Sequence, residues 1–238
     1  MKPILLIPAF LLFSFTLYAQ QSTVDTSKKE DFRDDWAALS HYKAENQQLG
    51  QPKPGEKRVI FLGSSIFEFW KTKVPEFFKG RPYLDRGISG QISPQLLIRF
   101  RQDVIDLKPK AVIILAGSND IASNTGHVSN ETIIDNIKSM AELARIHGIK
   151  VILCQYLPVF EYAWRKDIKP ADKIISLNKE IKAYANANNF IILDYFSPMV
   201  DERNGQRAEL TTDGVHPNVA GYKIMATVTE EAIAKALK

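Results

Sequence analysis

Cysteine is almost absent from this chain of 238 residues, which contains a single one, Cys154. One cysteine excludes an internal disulfide, and its place after the apolar run 151–153 predicts a small buried core residue. The sequence also lacks a His-Glu-x-x-His motif, paired cysteine ligands and a Gly-Lys-Ser/Thr phosphate loop. We therefore expect no metal ion and no cofactor.

Charge of one sign is not concentrated anywhere in the sequence. The chain has 31 Lys and Arg residues against 27 Asp and Glu residues, a net charge of +4, and the basic residues form no dense block. Nucleic-acid-binding proteins usually carry a basic patch or stripe, so we expect no nucleic-acid partner.

Long hydrophobic runs are limited to the first residues of the sequence. Lys2 precedes an almost entirely apolar stretch from Ile4 to Leu17, and a polar run begins after Ala19. This pattern predicts a signal peptide over residues 1–19 and a periplasmic or secreted protein. An uncleaved anchor is the alternative, but the run is shorter than the roughly 18–20 residues that span a bilayer. No cysteine lies near the cut, which disfavours a lipid anchor, so we expect no stable membrane insertion after cleavage.

The remaining length suits one domain with a full core. Phe32, Trp36, Leu39 and Tyr42 recur at helical spacing, which predicts one amphipathic helix in an N-terminal extension over residues 20–56. The breakers of residues 50–55 end that extension. We expect the main domain to cover residues 57–238.

Apolar strand patterns alternate with helical patterns throughout this main domain. Such alternation predicts an α/β fold with a parallel sheet, helices on both faces and a ligand site at the carboxyl ends of the strands. The five predicted strands are Val59–Leu62, Tyr83–Ile88, Ala111–Ala116, Val151–Leu157 and Phe190–Tyr195.

A serine, Ser65, follows the first strand where a helix can begin. Backbone N–H groups and the helix dipole stabilise negative charge at such a corner, so Ser65 is a candidate nucleophile. Helix capping by Ser64 or Ser65 is the alternative.

Three later stretches would supply the groups that a serine nucleophile needs. His216, before the last helix, could accept the serine proton, and Asp213 could orient its ring. The N–H groups of Ser65 and Gly90 and the amide of Asn119 could stabilise an oxyanion. Each residue has a simpler interpretation, with Asp213 as a helix cap and Gly90 and Asn119 as turn residues.

The ordered motifs Gly-x-Ser-Ile, Gly-Ile-Ser-Gly, Gly-x-Asn-Asp and Asp-Gly-x-His-Pro resemble those of the SGNH hydrolases, also called GDSL-type lipases/esterases. The resemblance runs from about Arg58 to the end of the chain. It implies a flavodoxin-like three-layer α/β/α sandwich with strand order 2-1-3-4-5. It also implies a serine esterase with a Ser65, Asp213 and His216 triad and with Gly90 and Asn119 as oxyanion donors. Two residues depart from the family pattern: Ser64 replaces the usual Asp, and Asp85 replaces a frequent Asn.

Substrate preference should depend on loops around the same edge. The loop from Tyr156 to Pro170 holds four aromatic side chains beside charged ones, Tyr156, Phe160, Tyr162 and Trp164. Aromatic faces with polar neighbours suit sugar rings, although the same side chains could simply pack the loop down. We therefore expect a small-molecule or oligosaccharide ester as substrate, with short-acyl (acetyl) esters of carbohydrates as the first hypothesis.

Other functions remain open from the sequence. A lysophospholipase or arylesterase of the same family is one alternative. An exported carbohydrate-binding module without catalysis is another, and acyl transfer to an alcohol would share the first half-reaction with hydrolysis.

Overall fold

The computed structural model describes residues 35–238, and these form one compact unit. Its five strands make one parallel sheet in the order β2-β1-β3-β4-β5. The strands are β1 (Val59–Gly63), β2 (Tyr83–Gly87), β3 (Ala111–Ile114), β4 (Lys150–Gln155) and β5 (Ile191–Asp194). The predicted α/β fold and strand order are therefore confirmed.

Helices cover both faces of this sheet and complete a three-layer sandwich. On one face α3, α5 and α6 pack together, and on the other α2 and α7 meet through the stacked rings of Trp70 and Tyr222. The helices are α1 (Lys43–Leu49), α2 (Ser65–Lys73), α3 (Ser93–Asp103), α4 (Ser118–Ile121), α5 (Asn130–Ile146), α6 (Pro170–Asn188) and α7 (Val219–Ala236). Within residues 35–238, no helix is long and apolar enough to cross a membrane.

The core is built around β1, whose five residues are all buried. Phe61, at its centre, contacts a cluster of aromatic rings under α2 and the chain that follows it: Phe67, Trp70, Phe77, Phe78 and Tyr83. A strand with both faces covered by helices has to be apolar throughout, which accounts for the unbroken run at residues 59–62.

The predicted amphipathic helix of the N-terminal extension is wrong in position. Residues 36–42 form turns, and the helix, α1, begins at Lys43 and ends before Gly50. The Asp35 carboxylate accepts the backbone N–H groups of Leu39 and Ser40, and Ala38 has a positive φ of 54°. Both features compete with helix formation. Phe32 and the predicted signal peptide lie outside the described residues.

Candidate active site

The loops that follow β1, β2 and β3 meet at the carboxyl edge of the sheet. Strand β1 ends at Gly63, and α2 begins two residues later at Ser65. A Cβ atom at Gly63 would lie 2.8 Å from the Phe67 ring and 3.0 Å from the Leu115 carbonyl oxygen. Glycine is therefore required for the tight turn that leaves Ser65 at the first position of the helix.

The structure brings Ser65, His216 and Asp213 together, although 151 residues separate the first two. The Ser65 Oγ atom lies 2.9 Å from His216 Nε2, and His216 Nδ1 lies 2.7 Å from Asp213 Oδ2. Neither Ser64 nor Ser65 caps α2 through its side chain, so the capping alternative for these serines is not observed.

The short loop around Asp213 fixes the histidine through several contacts. The other carboxylate oxygen, Oδ1, accepts the backbone N–H groups of Val215 and His216 at 2.9 and 2.7 Å. Partial burial acts to raise the pKa of Asp213. The hydrogen bonds from His216 and Val215 together outweigh this, and the pKa lies below its ordinary value of 3.8. Asp213 is therefore ionised at neutral pH.

An ionised carboxylate only accepts hydrogen bonds, which determines the tautomer of His216. The ring must carry a proton on Nδ1 to donate to Asp213. In the neutral ring, Nε2 therefore accepts a hydrogen bond from the Ser65 hydroxyl. The Phe69 ring packs against the imidazole with 5.2 Å between ring centroids. The buried Gln206 amide donates to the Val215 carbonyl oxygen at 2.6 Å and so holds the same loop in place.

The two remaining candidate oxyanion donors are Gly90 and Asn119, and one hydrogen bond connects the loop of Gly90 to Asn119. Gly90 is exposed after β2 with φ +77°, a left-handed conformation that glycine adopts without strain. Asn119, in α4, donates from its side-chain amide to the Gln91 carbonyl oxygen at 3.0 Å. Its amide oxygen accepts from Asn124 at 2.9 Å, and this contact fixes the orientation of the amide.

The predicted substrate aromatics divide into two groups. The Tyr162 hydroxyl donates to the Ser118 carbonyl oxygen at 2.9 Å, which attaches the loop to the start of α4, and both Tyr156 and Tyr162 are buried. They are not placed to stack on a substrate, and that part of the prediction is wrong. Phe160 and Trp164 are exposed by 39% and 47%.

Buried polar residues that support the site had not been predicted from the sequence. Arg99 and Asp103 lie on the buried face of α3, are fully buried, and form an ion pair of 2.9 Å. Asp120 accepts both the backbone N–H and the hydroxyl of Ser93 at the start of α3, and burial raises the pKa of its carboxyl. The signal in the sequence is a pair of opposite charges four residues apart on the helix face that also carries Leu96 and Phe100.

No group of three or more His, Cys, Asp and Glu side chains within residues 35–238 is arranged to hold a metal ion. The arrangement at the carboxyl edge is instead that of a serine hydroxyl, an imidazole and a carboxylate in series, beside backbone and amide N–H donors. This combination suits acyl transfer through a covalent intermediate.

Comparison with known proteins gives the same family as the motifs. The model of the GDSL-like Lipase/Acylhydrolase family matches residues 61–224. The chain is 49% identical to a GDSL-like lipase of known structure from Bacteroides thetaiotaomicron. The match covers 84% of this chain and 98% of the other, with a TM-score of 0.82.

Two curated relatives match over shorter segments. An uncharacterised lipoprotein of Bacillus subtilis, YqeF, is 40% identical over 81 residues, which is 33% of each protein. An acetylxylan esterase of Xylanibacter ruminicola is 26% identical over 151 residues, 56% of this chain and 30% of the relative. The matches thus span about a third of the length of these curated relatives. The family match and the structural similarity show that the chain belongs to the GDSL-like lipase/acylhydrolase family, a family of hydrolases that act on esters.

Proposed function

We propose that this protein is a serine esterase that hydrolyses short-acyl, acetyl-type esters of carbohydrates through an acyl-enzyme. The observation that carries the proposal is the continuous hydrogen-bonded series from Ser65 through His216 to Asp213. A protein that only binds carbohydrate does not need this series. The proposal therefore favours catalysis over a non-catalytic binding module.

In the first half-reaction, Ser65 Oγ attacks the ester carbonyl carbon while its proton passes to His216 Nε2. Asp213 accepts a hydrogen bond from the Nδ1–H group throughout and stabilises the imidazolium that forms. The carbonyl oxygen becomes an oxyanion within reach of the Ser65 and Gly90 N–H groups and the Asn119 amide. Each such donor typically contributes roughly 10²–10³ to the rate.

The tetrahedral intermediate then collapses, and the alcohol leaves with the proton from His216. Water attacks the acyl-enzyme in the second half-reaction, again with His216 as the base. The carboxylic acid is released and the Ser65 hydroxyl is restored.

A fluorophosphonate probe tests the chemistry directly, because it reacts with activated serines. Intact-mass measurement is expected to show one adduct on the wild-type protein and none on Ser65→Ala, which should also lose esterase turnover. Ser64→Ala is the matched control, since it changes the neighbouring serine and should keep the adduct. An adduct on Ser65→Ala, or no adduct and no turnover in wild type, would refute the proposal.

The preference for acetylated carbohydrate is supported by two observations. Phe160 and Trp164 expose aromatic faces in the loop after β4, and such faces stack well on sugar rings. A curated relative of 26% identity is an acetylxylan esterase. We expect higher kcat/KM on acetylated xylo-oligosaccharides than on long-chain esters. Faster turnover of long-chain esters or lysophospholipids would favour the lipase-type alternative and contradict this preference.

We also propose that the protein is exported. The charged start, apolar stretch and polar run of residues 1–20 fit a signal peptide, and one relative is named a lipoprotein. A lipid anchor is not part of the proposal because the only cysteine, Cys154, is buried in β4. Cell fractionation with mass analysis should find, outside the cytoplasm, a mature chain whose first residue is at or near Gln20. A full-length cytoplasmic product would contradict export.

A further inference from the structure

The loop over residues 88–91, between β2 and α3, carries one of the proposed oxyanion donors but has no regular secondary structure. Its tip is exposed at Ser89 and Gly90. An oxyanion donor must keep its position within a fraction of an ångström, because small displacements weaken transition-state contacts strongly. Backbone hydrogen bonds join Gln91 to Ile88 and Ile88 to Gly63, at 3.3 and 3.2 Å, and neighbouring side chains supply further restraint on this loop.

Gln91, the residue after Gly90 in the loop, is buried and makes three contacts that restrain it. Its Oε1 accepts from Arg99 Nε at 2.6 Å, and its Nε2 donates to the Ala37 carbonyl oxygen at 2.8 Å. Its backbone carbonyl accepts the Asn119 amide at 3.0 Å. The amide orientation is settled by Arg99, because a guanidinium can only donate. Gln91 therefore follows Gly90 directly in the sequence and also binds the Asn119 side chain through a hydrogen bond.

The partner of the Gln91 amide belongs to the segment 36–46, which we call the N-terminal brace. The Tyr42 hydroxyl donates to the Gly87 carbonyl oxygen at 2.5 Å, directly before the loop. Gln95 donates to the Trp36 carbonyl oxygen at 2.6 Å, and the buried Arg86 donates to the Asn46 side chain at 2.8 and 3.0 Å. The brace is therefore attached to β2, to the loop and to α3.

Arg99 connects the same loop to the strand that leads to Ser65. Its guanidinium donates to the carbonyl oxygens of Gly63 and Arg86 at 3.0 and 2.7 Å, at the carboxyl ends of β1 and β2. The nucleophile, the Gly90 loop and Asn119 are consequently held by one buried network, with Gln91 at its centre.

We propose that Gln91 is a positioning residue for ester hydrolysis and that the N-terminal brace is part of the catalytic domain. This proposal rests on the proposed function, since it assigns Gln91 to the alignment of the Gly90 and Asn119 donors. Gln91 does not touch the substrate. Loss of its side-chain contacts leaves substrate binding unchanged and displaces the donors only where the oxyanion forms, so kcat falls and KM stays.

Gln91→Met tests the proposal because it keeps the length of the side chain and removes both hydrogen bonds. Its matched control is Gln102→Met, the same change at a glutamine of α3 that donates to the Leu39 carbonyl oxygen of the brace at 2.7 Å, away from the loop. Turnover of a short-acyl aryl ester, the second-order rate of fluorophosphonate inactivation and thermal unfolding would be measured for each.

We expect Gln91→Met to lower kcat and the inactivation rate together by about 10- to 100-fold, with KM within about two-fold of wild type. Gln102→Met should stay within about two-fold for both rates, because it leaves the donor loop intact. A folded Gln91→Met with unchanged kcat, or equal losses in both variants, would overturn the proposal.

Tyr42→Phe decides the question if Gln91→Met fails to fold, since it removes only the hydroxyl contact to Gly87. Tyr83→Phe is its control, because that hydroxyl contacts Glu230 at the other end of β2. A kcat loss confined to Tyr42→Phe supports the proposal, and equal activity of the two variants contradicts it. Failure of the proposed function itself would look different, since wild type would then show neither turnover nor a Ser65 adduct.

Discussion

Two carboxylates near the site, Asp213 and Asp85, have pKa values displaced in opposite directions by their surroundings. Asp213 receives three hydrogen bonds from Val215 and His216, which hold its pKa below 3.8. Among residues 35–238, Asp85 accepts a hydrogen bond only from the Gly87 N–H, at 2.7 Å, in a buried position on β2, and burial raises its pKa to about 6. The aspartate at position 213 is thus ionised at neutral pH, whereas the pKa of the aspartate at position 85 lies about one unit below neutral pH.

Asp213→Asn should reduce kcat by about 10²–10⁴-fold with little change in KM, because the amide no longer stabilises the imidazolium and permits the wrong tautomer. Steady-state kinetics on a short-acyl ester measures this. Asp201→Asn is a fitting control: Asp201 also accepts two backbone N–H groups in a turn, from Arg203 and Gly205. A loss of similar size in both variants would argue against a role for Asp213 in the reaction.

Asp85 should make the protein less stable as pH rises. Its folded-state pKa of about 6 lies above the ordinary 3.8, so between these values the native state binds more protons than the unfolded state. The difference of about two pH units corresponds to at most about 3 kcal/mol, lost progressively from pH 4 to above pH 6.

Asp85→Asn therefore should raise the free energy of unfolding at pH 7.5 but not at pH 4.5, because the amide keeps the Gly87 contact without carrying a charge. Urea unfolding at both pH values checks this, with the exposed Asp106→Asn as control. A gain of equal size at the two pH values would show that ionisation of Asp85 is not the cause.

At the scale of elements, the loop after β4 combines two functions that its sequence does not separate. Tyr162 is buried, and its hydroxyl bonds to Ser118 at the start of α4, beside Asn119. Phe160 packs against Gly205, and a Cβ atom added to Gly205 would lie 2.9 Å from Phe160 Cβ. The guanidinium carbon of Arg203 lies 5.0 Å from the centroid of the Phe160 ring. The buried ring secures the loop, and the exposed rings of Phe160 and Trp164 are the ones that we propose to contact a sugar.

Trp164→Ala and Phe160→Ala are expected to raise KM for acetylated oligosaccharides by about 2- to 13-fold, the equivalent of losing one stacking contact of about 0.5–1.5 kcal/mol. Turnover of a small aryl acetate should be unaffected, because it does not extend to the loop. Tyr162→Phe should instead lower stability by about 0.5–1.5 kcal/mol. Equal KM effects on both substrates would contradict a sugar-binding role for the exposed rings.

For the whole molecule, stability depends on the aromatic cluster beneath α2. Phe61 is fully buried in the central part of the sheet and contacts five other rings. Phe61→Ala should lower the free energy of unfolding by about 3–5 kcal/mol, because the surrounding rings cannot collapse into the cavity. Urea unfolding measures the change, with Phe160→Ala as an exposed control expected to cost less than about 1 kcal/mol. A cost that small for Phe61→Ala would show that the cluster rearranges freely.

Much of the fold follows from patterns that are local in the chain. Apolar runs such as 59–62 and 111–114 are strands because both faces must be buried, and helical periodicity separates them. The alternation of strands and helices is enough to predict the carboxyl edge as the site. The motifs around Ser65 and His216 could then be predicted as neighbours, and the structure brings them within hydrogen-bonding distance.

By itself, therefore, the sequence determined the class of fold, the strands, the family and the edge of the sheet where reactive groups converge. Only the tertiary structure decided which aromatic rings of the loop after β4 are buried and that Gln91 joins Ala37, Arg99 and Asn119. The physical reason is distance along the chain. Strand and helix patterns arise between neighbouring residues, whereas burial of a ring or pairing of an amide depends on partners tens of residues away.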